Sequence, residues 1–348
     1  MSQSARRAAL DALKRIAFLL ERAHEPTYRV RAFRRAAATV QALDDAELDR
    51  LVAQHKLQTL DGIGKVTALT IEEATRGETP VYLRRLEATE GHEIDADAEA
   101  LLKALRGDCH SHSDWSDGGS PIREMAEAAR DLGHEYMVLT DHSPRLKVAR
   151  GLTAERLREQ LGVVRALNEE MSPFRILSGI EVDINEDGTL DQEPDLLAEL
   201  DVVVASVHSE LRMASKEMTR RMVAAVSDPN VDILGHCTGR IVVGRGRPES
   251  EFDPEEVFAA CAARGVAVEV NSRPERLDPP KRLLRRAVEL GCVVSIDTDA
   301  HAPGQLEWQI NGCERAALCG IGPERVVNSL PADELLVWAR EHASLRGD

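Results

Sequence analysis

The sequence predicts an α/β fold in which a small all-helical module precedes a parallel sheet built from β/α units. Three observations support this prediction. The first 90 residues carry apolar side chains at helical spacing, short apolar runs replace that pattern from about residue 105, and helical stretches separate those runs. The chain has 348 residues, 43% of them hydrophobic and 30% charged, which is ordinary for a globular protein of about two domains.

Residues 1–88 are expected to form the helical module. The first helix carries Leu13, Ile16 and Leu20 on one face. The sequence Leu-Asp-Gly-Ile-Gly-Lys predicts a turn before the last of four helices, which should end near Thr75 because Gly77 follows. The four predicted helices cover residues 5–22, 30–43, 45–54 and 65–75.

Residues 89–103 are acidic and contain few large apolar side chains, so they are expected to form a linker. Residues 104–348 then alternate seven apolar runs with helical stretches, the pattern of a parallel sheet. The runs lie at residues 105–109, 136–140, 174–180, 202–207, 231–235, 266–270 and 293–296.

Polar side chains follow these runs, and six of the 11 histidines are among them. Because strands of a parallel α/β barrel end at one mouth, the side chains should converge there. Nine are candidate metal ligands: His110, His112, Asp117, His142, Glu181, His208, His236, Asp299 and His301. Imidazole and carboxylate suit Zn²⁺, Mn²⁺ or Fe²⁺, and nine ligands are too many for one ion. The sequence therefore predicts two or three divalent transition-metal ions and hydrolysis of a phosphate ester.

Charge and composition argue against an unspecific nucleic-acid binder and against a membrane protein. The net charge is −16; residues 1–94 hold 15 Lys and Arg against 14 Asp and Glu, whereas the remainder holds 29 against 46. A body this acidic disfavours unspecific binding of polyanions, so nucleic acid would need a local surface or the metals. No apolar run approaches a membrane span, no signal-peptide core is present, and six cysteines form no C-x-x-C pair. We therefore expect a cytoplasmic protein without membrane partners.

Six segments resemble, in order, the motifs of the PHP (polymerase and histidinol phosphatase) family: residues 110–118, 140–143, 179–183, 206–208, 235–240 and 297–301. The resemblance implies a distorted (β/α)₇ barrel with a trinuclear metal centre. It assigns one ion to His110, His112, Glu181 and Asp299. Glu181 would bridge to a second ion held with His208 and His236, and the third would be held by Asp117, His142 and His301.

The same resemblance implies catalytic roles for Glu181 and Asp299. Arg240 completes the predicted catalytic set, because guanidinium binds phosphate in a bidentate manner and this residue follows His236 closely.

The helical module resembles the N-terminal helix-hairpin-helix domain of family X DNA polymerases, from residues 28–34 through the turn at Gly62 and Gly64. The linker leaves no room for a polymerase palm, so we expect no polymerase activity. The resemblance implies contacts to the DNA backbone by the amides of Gly62 and Gly64 and by Lys65, Arg31 and Arg34.

Three functions remain open from the sequence. The favoured one is a phosphoesterase acting on DNA, as a 3′-5′ exonuclease, in 3′-end processing or at abasic sites. The second is a small-molecule phosphatase of the histidinol-phosphate type, which the acidic barrel favours. The third is a non-catalytic DNA-repair adaptor.

Overall fold

The chain divides into two compact units, Met1–Glu93 and Ile94–Asp348. The computed structural model describes residues 4–88 and 94–344. In this described part, no helix combines the length and the apolar character needed to cross a membrane.

The first unit is all-helical, as predicted. Ser4 begins α1 by accepting the Arg7 N–H, and Asp44 begins α3 by accepting the Glu47 N–H. The second helix starts three residues earlier than expected because Pro26 sets its entry. The helices are α1 Ala5–Arg22, α2 Thr27–Ala42, α3 Asp45–Ala53, α4 Lys65–Thr75 and α5 Val81–Glu87.

The second unit is a nearly closed, distorted (β/α)₇ barrel, which confirms the predicted fold class. Its seven strands are parallel and neighbour one another in sequence order. They are β1 Gly107–Ser111, β2 Tyr136–Leu139, β3 Arg175–Asp183, β4 Val202–Ser206, β5 Ile233–Leu234, β6 Ala267–Asn271 and β7 Val294–Asp297. Its helices are α6 Ala96–Ala104, α7 Ile122–Asp131, α8 Ala154–Met171, α9 Pro194–Leu197, α10 Ser215–Val226, α11 Pro254–Arg264, α12 Lys281–Glu289, α13 Gln309–Ala317 and α14 Ala332–Ser344.

Closure between β1 and β7 takes place just beyond the ends of these strands. Ser111 forms an isolated parallel bridge with Ala300, and the His112 N–H donates to the Ala300 carbonyl at 2.8 Å. The two loops that carry candidate ligands are thereby joined at the mouth of the barrel.

The predicted linker, residues 89–103, is wrong in its second half. Residues 96–104 form α6, which Asp95 begins by accepting the Asp97 N–H. Ala98 and Leu101 are buried in one core cluster with Val294 of β7. The acidic residues of this segment occupy the exposed face of an amphipathic helix, which is why the composition resembled that of a linker. Residues 89–93 lie outside the described part of the chain.

Strand β3 is longer than predicted and carries Glu181 within the strand. Its first residues pair with β2 and its last five with β4. The change of partner occurs at Gly179, where a Cβ would lie 2.7 Å from both the Val138 side chain and the Val202 carbonyl. Glycine therefore lets the strand approach both neighbours, which positions Glu181 at the centre of the barrel mouth.

Candidate metal centre

The nine candidate ligands come together at the carboxyl end of the barrel. His110 belongs to β1 and Glu181 to β3, whereas the other seven lie in the loops that follow the strands. Ligand atoms of these residues lie within 4.8 Å of one another in four overlapping groups. The groups are His112, Asp117, His142 and His301; His110, Glu181 and His236; His110, His112 and Asp299; and His142, Glu181 and His208.

Glu181 is the shared member of this centre. Its side chain is fully buried, and its two oxygens face five imidazoles. Oε1 lies 2.8 Å from His236 Nε2 and 3.2 Å from His208 Nε2. Oε2 lies 2.8 Å from His142 Nδ1, 3.4 Å from His110 Nε2 and 3.6 Å from His112 Nε2. Burial by itself would raise the pKa of Glu181, but the imidazoles outweigh it and hold the pKa well below its usual range.

The geometry differs in detail from the grouping that the family resemblance implied. Asp117, His142 and His301 lie together as expected, with His112 added to them. His208 and His236, expected to share an ion with Glu181, fall into separate groups that Glu181 links. The assignment of individual ions remains a prediction.

The donor set fits metal ions better than it fits hydrogen bonding. Among residues 4–88 and 94–344, buried nitrogens of His110, His112, His142 and His236 form no hydrogen bond of acceptable geometry. The same holds for Glu181 Oε2, although it lies 2.8 Å from His142 Nδ1. Leaving so many buried polar atoms unsatisfied would cost about 1–3 kcal/mol each. Divalent ions would satisfy them, because neutral imidazole and carboxylate are their ordinary ligands.

Two further carboxylates orient the histidines, and the sequence analysis missed both. Glu269 of β6 lies 2.6 Å from His110 Nδ1, and its other oxygen accepts the His236 N–H at 2.5 Å. Asp183 of β3 binds His208 Nδ1. Each carboxylate fixes one ring nitrogen and turns the other toward Glu181. The available signal was spacing: Glu269 and Asp183 lie two residues from Asn271 and Glu181 on their strands, and so share their faces.

Asp299 is held by two arginines that the sequence analysis also missed. Its backbone is left-handed, with φ of +53°, and its Oδ1 lies 3.4 Å from His112 Nε2. Its Oδ2 accepts from Arg276 Nε at 3.1 Å, while Arg273 Nη1 donates to the Asp299 carbonyl at 3.1 Å. Arg276 Nη1 is buried and has no hydrogen-bond partner among the residues that the structure describes. Two positive charges therefore lie at one edge of the centre.

Arg240, the predicted phosphate contact, uses its guanidinium for contacts within the fold. Its Nε donates to the Arg276 carbonyl at 3.0 Å, and Nη2 donates to the Leu277 carbonyl. Nη1 lies 3.4 Å from Glu249. The guanidinium thereby anchors the loop that presents Arg276 to Asp299, and a phosphate contact by Arg240 remains a prediction.

The loop that carries Asp117 is fixed by long-range contacts. Arg150 Nε donates to the Ser116 carbonyl at 3.0 Å, and Arg156 Nη2 donates to the Trp115 carbonyl at 2.5 Å. The buried Asp141 carboxylate accepts from the Ser113 amide and hydroxyl. Asp117 is thus presented from a braced loop rather than a flexible one.

The residues of the helical unit that are predicted to contact DNA differ in their exposure and in their hydrogen bonding. Arg31 and Lys65 are exposed, as a phosphate contact requires. Arg34 instead donates from Nε to the buried Glu21 carboxylate at 2.5 Å, so it neutralises a buried charge between α1 and α2. The Gly64 N–H donates to Thr67 Oγ1 at 2.9 Å, so in this structure that amide is used within the turn. Gly62 has φ of +84° and is covered by the side chain of Arg35.

Two family models match the chain. The model described as a helix-hairpin-helix domain matches residues 4–79, and the model described as a PHP domain matches residues 108–273. Seven of the nine candidate ligands lie within the second match; Asp299 and His301 lie beyond it.

The proteins that resemble this chain include a DNA polymerase/exonuclease and phosphatases. The DNA polymerase/3′-5′ exonuclease PolX of Bacillus subtilis is 44% identical over 243 residues, 69% of this chain and 42% of that protein. A probable phosphatase of Thermoanaerobacter sp. (strain X514) is 29% identical over 236 residues, 64% of this chain and 89% of that protein. A further match is the crystal structure of histidinol phosphate phosphatase from Lactococcus lactis, complexed with zinc, L-histidinol and phosphate. Its sequence is 19% identical, and the superposition covers 62% of this chain and 94% of the phosphatase chain with a TM-score of 0.45. The chain thus spans less than half the length of its polymerase relative.

Proposed function

Because the chain joins a helix-hairpin-helix domain to a PHP domain, we propose that it is a metal-dependent phosphoesterase whose substrate is DNA. The observation that carries the proposal is the group of buried imidazoles around Glu181, several of whose nitrogens have no hydrogen bond within the described part of the chain. Divalent cations would satisfy such a donor set, since neutral imidazole and carboxylate are their ordinary ligands.

The side chains have separable roles in this proposal. His110, His236, His208 and His142 would hold two or three divalent ions around Glu181, whose carboxylate lies among these imidazoles. Divalent ions bound there would activate a water and neutralise charge on a phosphate. Zn²⁺, Mn²⁺ and Fe²⁺ all suit these ligands.

Arg276 and Arg273 supply the protein's own positive charge at the edge of the centre. Arg276 Nε is committed to Asp299, but its buried Nη1 has no partner. A phosphoryl oxygen entering beside Asp299 would satisfy it with a charge-assisted hydrogen bond. Arg240 supports this contact indirectly, through the carbonyls of Arg276 and Leu277.

DNA is favoured over a small ester by the helix-hairpin-helix match of the helical unit and by the similarity to a polymerase/exonuclease. PolX of Bacillus subtilis carries 3′-5′ exonuclease in its name and is 44% identical over 243 residues. We therefore infer attack at 3′ ends, with Lys65, Arg31 and the turn at Gly62 contacting the backbone of the strand.

A small-molecule phosphatase is the second candidate. The probable phosphatase from Thermoanaerobacter matches over 89% of its own length but only 64% of this chain, so part of this chain corresponds to most of a protein of that kind. The 46 acidic residues against 29 basic ones beyond residue 94 also disfavour a long polyanion.

One assay separates the two candidates. Labelled single-stranded, nicked and abasic oligonucleotides are incubated beside histidinol phosphate with Mn²⁺ present, using the full chain and its Glu181→Gln variant. Nucleotide release from 3′ ends that disappears in the variant supports the proposal, because a contaminating nuclease would survive the substitution. Turnover of histidinol phosphate without any oligonucleotide cleavage would contradict it.

A further inference from the structure

A cleft of about 710 Å³ lies between the loop after β5 and the amino ends of three helices. Ser215, Pro254 and Arg282 line it at the starts of α10, α11 and α12. Arg240 and Arg247 line it from the loop. Helix amino ends carry partial positive charge, so they favour a negatively charged occupant without specifying one.

The cleft shares a wall with the metal centre. Arg240 lines the cleft and donates to the carbonyls of Arg276 and Leu277. Arg276 in turn binds the Asp299 carboxylate at 3.1 Å. The loop that carries Arg276 and Leu277 therefore contacts both Arg240 of the cleft and Asp299 of the metal centre.

The arginines that line the cleft differ in how many of their donor groups have an ion-pair or hydrogen-bond partner. Arg240 and Arg282 both pair with Glu249. The Arg247 side chain donates only from Nε, to the Gly239 carbonyl at 2.6 Å, and in the described part of the chain its two Nη groups have no partner. Glu251, the other acidic residue of the lining, is exposed.

Arg247 is also crowded by a like charge. Partial burial and the proximity of Arg276 lower its pKa below the ordinary value for arginine. A half-buried cation beside a second cation, with unused donors facing a cleft, is stabilised by an anion.

We propose that this cleft binds the phosphodiester adjacent to the scissile one in a nucleic-acid strand, through Arg247. The inference rests on the proposed function and deepens it, because it assigns a preference for an oligonucleotide to the barrel itself. A volume of about 710 Å³ falls within the range of small-molecule sites and accommodates a nucleotide unit. A small monoester has no second phosphate and would leave the cleft empty.

The test compares two substrates that differ by one phosphodiester. The dinucleotide TpT has one phosphodiester and the trinucleotide TpTpT has two, and the ratio of their kcat/KM values measures what the extra phosphate contributes. Wild-type protein should favour TpTpT, and Arg247→Met should lower that ratio about tenfold, the scale of one charge-assisted hydrogen bond. Arg247→Lys, which keeps the charge, should retain a larger ratio than Arg247→Met.

Arg245→Met is the matched control. Arg245 is exposed on the same loop and does not line the cleft, so its removal should leave the ratio unchanged. Arg282→Met tests the cleft from the opposite wall at an exposed position where folding is not at risk, and should also lower the ratio.

The outcomes separate this inference from the proposed function. A wild-type preference for TpTpT that survives Arg247→Met, or that Arg245→Met lowers equally, overturns the cleft and leaves the function standing. A wild-type protein that hydrolyses p-nitrophenyl phosphate but neither oligonucleotide overturns the proposed function together with the cleft.

Discussion

Glu269 Oε1 lies 2.6 Å from His110 Nδ1, so the other ring nitrogen of His110 faces Glu181. The second oxygen of Glu269 accepts the backbone N–H of His236. One buried carboxylate of β6 therefore orients the ligand of β1 and the loop that follows β5. Replacing it with an amide would remove the charge that makes the imidazole a strong donor to a metal.

Glu269→Gln should weaken metal binding by about 10- to 100-fold, the usual effect of losing such a partner. Competition against a chromophoric chelator at pH 7 measures the change. The exposed Glu199→Gln makes the same chemical substitution away from the centre and should bind metal as wild type does. Equal affinities for all three proteins would mean that Glu269 does not support a metal ligand.

Glu181→Gln should abolish hydrolysis and reduce the metal content, because the carboxylate oxygens lie between five imidazoles. Elemental analysis of gently purified wild-type protein should show two or three transition-metal ions per chain. Fewer than one ion per chain in the wild type would refute a multinuclear centre.

Arg240→Met should destabilise the fold by about 2–3 kcal/mol, since two backbone carbonyls of the loop around Arg276 would lose a charged donor. Urea unfolding of the metal-free protein measures the loss. Arg282→Met, an exposed ion pair with Glu249, should cost less than about 1 kcal/mol. If Arg240 served mainly as a phosphate contact, its removal would leave stability unchanged.

Lys65→Gln should weaken oligonucleotide binding and reduce the slope of log affinity against log salt by about one. Lys14→Gln removes an equally exposed lysine from α1, outside the turn, and serves as the control. Fluorescence anisotropy over a salt series gives both values. Identical slopes for the two variants and the wild type would exclude Lys65 from the DNA contact.

His134 should contribute to acid unfolding. Burial lowers the pKa of His134 to about 4, below the value of about 6.5 in an unfolded chain. The unfolded state therefore takes up the proton first, and stability contributed by the neutral imidazole is lost as the pH falls from about 6.5 toward 4. Between pH 7 and pH 4, wild type should lose about 2–3 kcal/mol more than His134→Gln in the free energy of unfolding, measured with urea. Parallel pH profiles would show that His134 is not held neutral.

The sequence by itself determined the class of fold and the candidate ligands. The helical spacing of apolar residues predicted the first module, and the alternating apolar runs predicted seven parallel strands. Polar residues at the strand ends indicated that His110, His142 and Glu181 lie together at the mouth of the barrel. These inferences succeed because each depends on a local period or on the rule that parallel strands end together.

The tertiary structure decided which side chains hold the ligands in place. His110 and Glu269 are 159 positions apart, and Arg276 reaches Asp299 across 23. Arg240 is a candidate phosphate contact because it follows His236 closely in the sequence. In the structure its guanidinium donates to carbonyls of a loop 36 and 37 residues away. Hydrogen bonds between distant segments depend on how strands are ordered and loops are packed, and no local pattern of residues encodes which donor meets which acceptor.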